Sequence, residues 1–187
     1  MAKVSPTELM SQVDVDSGMP QLRLPDTDST AEIILTQALD FCAEKMGLAG
    51  RQAAADRLGQ CDSEACKYCH YSIAKQTAEA FGSLDENVKA VYVIDYDATP
   101  EDLCFGKTEA KLIHLIIWSE RKTQALDSLV QALDRALVER YVNATGTYQL
   151  THLLDAQVIN DDDVKNRVGY GAMLASLHQR PIQVWER

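Results

Sequence analysis

The chain has 187 residues, of which 46% are hydrophobic, and its formal net charge at pH 7 is -10. It is therefore long and apolar enough to bury a core without a disulfide or metal staple. The acidic excess argues against nucleic acid or anionic lipid as a partner. The N-terminal "MAKVSPTELM" lacks the apolar segment of an export signal, and no run reaches the roughly 18 apolar residues of a membrane span. We therefore expect a cytoplasmic protein that does not enter the membrane.

The first part of the chain divides into an arm and a helical region. Residues 1–28 mix prolines with aspartates, which predicts a partly disordered arm. Residues 29–83 predict three helices with caps and glycine stops. The first starts at Asp28, Ser29 or Thr30 and ends at Gly47, the second is "AGRQAAADRLGQ", and the third starts at Asp62 or Ser63 and ends at Gly82.

Residues 84–187 predict an α/β sheet domain, because the apolar period changes at residue 88. The predicted strands are "VKAVYVIDYD", "AKLIHLIIWSE", "THLLDAQVI" and an edge strand in "PIQVWER". A long amphipathic helix over residues 122–141 and one helix in "NDDDVKNRVGYGAMLASLHQR" connect them. The chain thus predicts an α+β fold, a helical segment followed by a mixed-sheet β-β-α-β-α-β domain. The long helix and the last strand are also candidate faces for a homodimer.

The stretch "CDSEACKYCH" is a candidate metal site at a loop-to-helix junction. Cys66 and Cys69 are three residues apart and share one helix face, and Cys61 precedes the cap. A fourth ligand could come from Cys42 or, alternatively, from Cys104 or His70. His70 is the least suitable, because it directly follows Cys69 and points away from it. Zinc is the simplest ion for this set.

Two alternatives to zinc stay open for these cysteines. The C-x4-C-x2-C spacing with Cys104 downstream is also that of plant-type ferredoxins, which hold an iron-sulfur cluster. Ferredoxins, however, place the cluster in a loop of a strand-rich domain, whereas here the cysteines open a helix. The second alternative is that Cys42, Cys66 and Cys69 are small apolar residues on buried helix faces.

The predicted sheet also contains polar residues that are candidates for a second site. His114, Asp95, Asp97 and Asp155 meet at strand ends if the three strands are adjacent, which would form an acid-base or metal site. The simpler interpretations are a hydrogen-bonded core histidine and solvated turn carboxylates. The acidic "NDDD" is typical of a helix N-terminus, and the glycines of "GYGAM" are typical of close helix packing.

From residue 88 onward the predicted elements run strand, turn, strand, helix, strand, helix and short strand. This order resembles the minimal nucleotidyltransferases of the DNA-polymerase-β-like superfamily. In that family a Gly-Ser turn follows the first strand, and three carboxylates, two of them in a D-x-D motif on the second strand, bind two metal ions. Here the turn is "DYDATPED", Leu112 and His114 stand at the D-x-D positions, and Asp155 alone matches. The resemblance implies a degenerate member of the fold without nucleotidyl transfer.

These observations predict a non-catalytic binding or regulatory protein whose partner is an unidentified small molecule or protein. The alternative is an enzyme that uses either a cysteine thiolate or a site around His114 and Asp155. No G-x-S-x-G, H-E-x-x-H or Walker segment occurs, which removes the commonest hydrolase and NTPase classes.

Overall fold

The structure is a computed structural model that describes residues 26–94, 112–147, 150–176 and 180–187. Most of the predicted arm, together with Asp95, Asp97 and Cys104, lies outside these residues. In chain order the described elements are α1 (Thr27–Met46), α2 (Arg51–Gly59), α3 (Ser63–Leu84), β1 (Val88–Val93), β2 (Ile113–Ser119), α4 (Gln124–Thr145), β3 (Leu154–Ile159), α5 (Asp161–Asn166), α6 (Tyr170–Leu174) and β4 (Ile182–Glu186). Within the described ranges, no helix is both long and apolar enough to cross a membrane.

The strands form a mixed sheet in the order β3-β2-β1-β4. β2 and β3 are parallel and are joined through α4, whereas β1 pairs antiparallel with both β2 and β4. The predicted α+β class, the mixed sheet and the edge position of the last strand are confirmed.

The long helices α1, α3 and α4 lie on one face of this sheet. α3 packs on β1 and β4, α4 packs on β3, and α1 lies against both α3 and α4. Alternation along β2 sends Ile113, Leu115 and Ile117 into the core on this side. The apolar stripe of α4, which the sequence offered as a homodimer face, is buried in the same core. We call the opposite side, which carries His114 and Trp118, the second face.

One apolar cluster runs through the predicted helical region and the predicted sheet domain. It joins residues of α1, α2 and α3 to residues of the strands and α4. The core therefore continues across the predicted boundary between residues 83 and 84. The division into a helical region and a sheet domain stays a prediction.

The helix ends correct several sequence expectations. α1 begins after Asp26, whose side chain accepts a hydrogen bond from the Ser29 N–H at 3.1 Å, so the cap lies two residues before the earliest predicted one. Asp62 caps α3 as expected. α3 then continues through Gly82 to Leu84. Gly82 is required there because a Cβ would overlap the ring of Trp185, so the glycine serves packing and does not end the helix.

The single helix predicted from residue 160 is wrong, because the chain forms two short helices there. Asn160 caps α5 with a complete capping box, as the "NDDD" pattern suggested. Arg167 (φ 54°) and Gly169 (φ 52°) then adopt left-handed backbone conformations that end α5 and start α6. The expected close packing by the "GYGAM" glycines is seen at Gly171, where a Cβ would collide with the backbone of Asp163.

Candidate functional site

A hydrogen-bonded row of polar side chains lies on the second face of the sheet. His114 and Asp155 are register partners on the parallel strands β2 and β3. The His114 Nδ1 atom lies 2.8 Å from Asp155 Oδ2, and Gln157 Nε2 donates to Asp155 Oδ1 at 2.9 Å. The side chains of His114 and Asp155 are 16% and 34% exposed, so the row is shielded but reachable. The structure thus brings together the two residues that the sequence singled out.

Both carboxylate oxygens of Asp155 accept hydrogen bonds from protein side chains, Oδ2 from His114 and Oδ1 from Gln157. A carboxylate that bridges catalytic metal ions must instead present its oxygens to the metals. The nucleotidyltransferase resemblance predicts a carboxylate at the position of His114, which contributes an imidazole instead. Where the resemblance would predict a metal site, the structure has a histidine-carboxylate-amide row.

A pocket of about 180 Å³ adjoins the Gln157 end of this row. Residues of β3 and the loop before α4 form one wall, and the turn between α5 and α6 forms the other. The lining residues are Lys122, Gln157, Val158, Ile159, Asp163, Val168, Gly169 and Tyr170. A ligand in this pocket can thus contact the side chains of Val168 and Tyr170, which are 58% and 37% exposed. The Lys122 ammonium and the Gln157 amide lie beside them.

Acidic groups in the first turn of α5 hold the pocket wall in place. Asp161 accepts from Lys89 Nζ at 2.7 Å and from Trp118 Nε1 at 2.8 Å. The hydrogen bond from Lys89, followed by that from Trp118, lowers the pKa of Asp161. Asp163 pairs with Lys122 Nζ at 2.7 Å, and this hydrogen bond, followed by that of the Asn160 backbone, lowers the pKa of Asp163.

The second candidate site is the cysteine group between α1, α3 and α4. Cys42, Cys66 and Cys69 are buried, and Cys61 is partly exposed with a left-handed backbone (φ 58°). Burial, and then the nearby Cys69, Cys66, Cys61 and Cys42, raise the pKa of the Tyr141 hydroxyl. The four cysteines therefore share one neighbourhood around a buried tyrosine.

The electrostatics at Cys69 and Cys42 favour thiols over thiolates. Burial raises the pKa of Cys69 well above its usual value, and the nearby Cys42 and Cys66 raise it further. Burial, followed by Asp62 and Glu64, also raises the pKa of Cys42. A catalytic thiolate needs the opposite shift. The Cys42 thiol is within sulfur hydrogen-bond distance of two acceptors, the Ala65 carbonyl oxygen at 3.6 Å and Met46 Sδ at 3.7 Å, as suits a protonated thiol.

A metal site at these cysteines stays a prediction. No group of three or more histidine, cysteine, aspartate or glutamate side chains within the described residues is arranged to hold a metal ion. The alternative ligand His70 lies with its ring 6.3 Å from that of Tyr141, and Cys104 is outside the described residues. The contacts that the structure shows fit the interpretation of the buried cysteines as packing residues.

The sequence analysis missed a second carboxylate-histidine pair at Asp134. This residue of α4 is buried, and its Oδ2 lies 2.7 Å from His152 Nδ1. Its Oδ1 accepts hydrogen bonds from the backbone N–H groups of Leu153 and Leu154. The signal was available, because Asp134 lies at helical spacing within the apolar stripe of Val130, Leu137 and Tyr141. An acid inside such a stripe indicates a buried and satisfied carboxylate.

Comparison of the chain with protein-family models, curated proteins and solved structures found no match in any of the three. The nucleotidyltransferase resemblance accordingly stays a prediction from the order of elements and from Asp155, the one residue that matches an acidic position of the family. A function for the chain is therefore inferred from the side-chain geometry of the described residues.

Proposed function

We propose that the protein is a non-catalytic binding protein with a nucleotidyltransferase-like domain, which takes a nucleotide-like ligand at the second face of its sheet. The observation that supports this proposal is that His114 and Gln157 occupy both carboxylate oxygens of Asp155. The carboxylate holds two protein side chains in fixed positions, which orients the Gln157 amide beside the pocket.

The groups around the pocket support a polar ligand with an apolar part. Lys122 supplies a cation for an anionic group, and the Gln157 amide supplies a donor and an acceptor. Val168 and Tyr170 supply exposed apolar surface on the opposite wall. A base or sugar ring against that surface, with phosphate near Lys122, matches this distribution.

The test is a titration of the ¹⁵N-labelled protein with the four ribonucleoside triphosphates, with and without magnesium. We expect at least one of them to shift the Gln157 side-chain and Tyr170 backbone resonances, with no pyrophosphate released. Gln157→Ala should weaken binding about tenfold, the loss expected for one hydrogen-bonding group. The exposed Gln131→Ala on α4 is the matched control. Nucleotide turnover, or no perturbation near the pocket by any of the four, would refute the proposal.

A second candidate is acid-base catalysis by the His114 and Asp155 pair. A carboxylate beside Nδ1 favours the tautomer with the proton on that nitrogen, which places the basic lone pair on Nε2. This arrangement is common to many general bases. A screen with p-nitrophenyl esters and phosphates tests it: activity that disappears in both His114→Gln and Asp155→Asn would favour an enzyme.

A further inference from the structure

Residues 160–176, which we call the latch, contain α5 and α6 and contribute almost nothing to the core. α5 has no buried residue, and Gly171 is the one buried residue of α6. Gly171 packs against the backbone of Asp163 within the latch itself, and the Asn160 and Asp163 capping box closes its first turn. The latch is thus organised internally by its own contacts.

Polar contacts at one end and a small contact of α6 with β3 tie the latch to the rest of the protein. Asp161 binds Lys89 of β1 and Trp118 of β2, and Asp163 binds Lys122. The side chains of the first ion pair are 35% and 55% exposed and those of the second are 49% and 21% exposed, so both pairs reach solvent and are screened by salt. Ion pairs at such sites contribute little each. Separating the latch from the sheet therefore costs far less than unfolding the core.

The pocket lies between the latch and the sheet, so the position of the latch sets access to it. Asp163, Val168, Gly169 and Tyr170 line it from the latch side. Gln157, Ile159 and Lys122 line it from the other side. Separating Asp163 from Lys122 removes a contact that spans the two walls.

We propose that the latch is a salt-sensitive gate over this pocket, which opens when the contacts of Asp161 and Asp163 break. The proposal rests on the proposed function, since it assigns a control element to the same ligand site. An anionic ligand competes with Asp163 for Lys122, so binding and opening are coupled. Gating itself is a property of the protein without ligand and is measured without one.

Hydrogen exchange of the unliganded full-length protein measures the opening. In the Lys89→Met and Lys122→Met variants, peptides covering 160–176 should exchange about threefold faster or more, and peptides from α4 should be unchanged. High salt should have the same effect on the unmodified protein. Lys165→Met is the matched control, because Lys165 lies on the latch and forms no ion pair with any described residue. Latch exchange no faster than in that control would overturn the proposal.

Access to the pocket is measured separately with a Gln157→Cys variant. The rate at which N-ethylmaleimide modifies this position, followed by mass spectrometry of its peptide, reports how often the pocket opens. Adding Lys122→Met should raise the rate about threefold or more, and adding Lys165→Met should not. An equal rate in both would overturn gating, whereas failure of nucleotides to bind would refute only the proposed ligand.

Discussion

The Oδ1 atom of Asp134 in α4 lies 2.9 Å from the backbone nitrogen of Leu153, immediately before β3. The same oxygen also accepts from the Leu154 N–H at 2.8 Å. One buried carboxylate therefore fixes where the parallel strand begins relative to the helix that leads to it. The register of β3 beside β2, and hence the approach of Asp155 to His114, depends on this junction.

We expect Asp134→Ala to lower the free energy of unfolding by about 2–4 kcal/mol, because two backbone donors lose a charged acceptor. Asp134→Asn should cost less, since its amide oxygen can still accept from the backbone. Urea unfolding followed by circular dichroism measures both changes. Glu139→Ala, which removes an exposed carboxylate from the same helix, is the control. A loss no larger than that of the control would show that the junction does not depend on Asp134.

Gly82 of α3 packs directly against Trp185 of β4. The Trp185 ring occupies the space where a Cβ of Gly82 would stand. Arg187 lies over that ring, and its guanidinium donates to the Gly82 carbonyl oxygen at 2.7 Å. Gly82→Ala should therefore destabilise the protein by about 1–3 kcal/mol through overpacking.

A double-mutant cycle isolates the cause of that loss. In a Trp185→Ala background the space is free, and Gly82→Ala should become neutral or stabilising by up to about 1 kcal/mol through helix propensity. Unfolding free energies of the four proteins give the coupling. The same loss in both backgrounds would mean that the ring does not cause it.

Local pattern was sufficient to predict the elements whose residues alternate or repeat with one face in the core. The stripe of α4 is an example, and adjacency of β2 and β3 brings His114 to Asp155, as expected if those strands were neighbours. In β1 the strand was predicted, but a register shift between Val88 and Ala90 places Val88 in the core together with Val91, against simple alternation. The break after α5 was not predicted, although Gly169 and Gly171 are poor helix formers, because the glycines of "GYGAM" were interpreted as close-packing residues within one helix. Arg167 has a left-handed backbone at the break, and Gly171 lies close to the Asp163 backbone, so that the two short helices contact each other.

The environment of the cysteines also could not be predicted from the local sequence pattern. The sequence showed that Cys66 and Cys69 share a helix face, but it did not show that Tyr141, from a helix far along the chain, lies among them. Burial of Cys69, which raises its pKa, was one of the alternatives that the sequence left open. Spacing identifies which residues can converge, and only the packed core decides what lies between them.

Thr77 offers a stabilising substitution. Its hydroxyl is fully buried and has no hydrogen-bond partner among the described residues. Thr77→Val keeps the shape and removes the unsatisfied group, so we expect the free energy of unfolding to rise by about 1 kcal/mol. The contrasting variant is Thr145→Val, because the Thr145 hydroxyl donates to the Tyr141 carbonyl oxygen at 2.8 Å. That variant should be destabilised, and similar effects of both would contradict the explanation.

The thiols should differ in reactivity according to burial. At neutral pH iodoacetamide should modify the partly exposed Cys61 at least about tenfold faster than Cys42 or Cys69, whose pKa values are raised by burial. Peptide mass spectrometry over time gives each rate. If the buried cysteines are packing residues, a chelator should leave the modification rates of all the cysteines unchanged. If they bind zinc, as predicted, the chelator should speed modification of the cysteine ligands. Rapid modification of Cys69 without a chelator would contradict the burial argument.

Acid should release the latch before the core unfolds. Hydrogen bonds from Lys89 and Lys122 are the largest causes that lower the pKa values of Asp161 and Asp163 below the ordinary 3.8. A carboxyl whose pKa is lower in the folded protein than in the unfolded chain stabilises the folded form above the unfolded value. That contribution is lost as the pH falls through the folded value. The contacts of the latch should therefore persist at pH 5 and weaken below about pH 4.

Trp118 reports this transition directly, because its indole N–H donates to Asp161. In a Trp185→Phe background Trp118 is the one remaining tryptophan of the chain, and its emission should shift to longer wavelength before helical circular dichroism is lost. Asp161→Asn should remove much of the shift, since an amide does not titrate. Asp162→Asn, one position along in the same turn, should leave it intact. A fluorescence change that coincides with helix loss, or that is unaffected by Asp161→Asn, would show that the latch is as stable as the core.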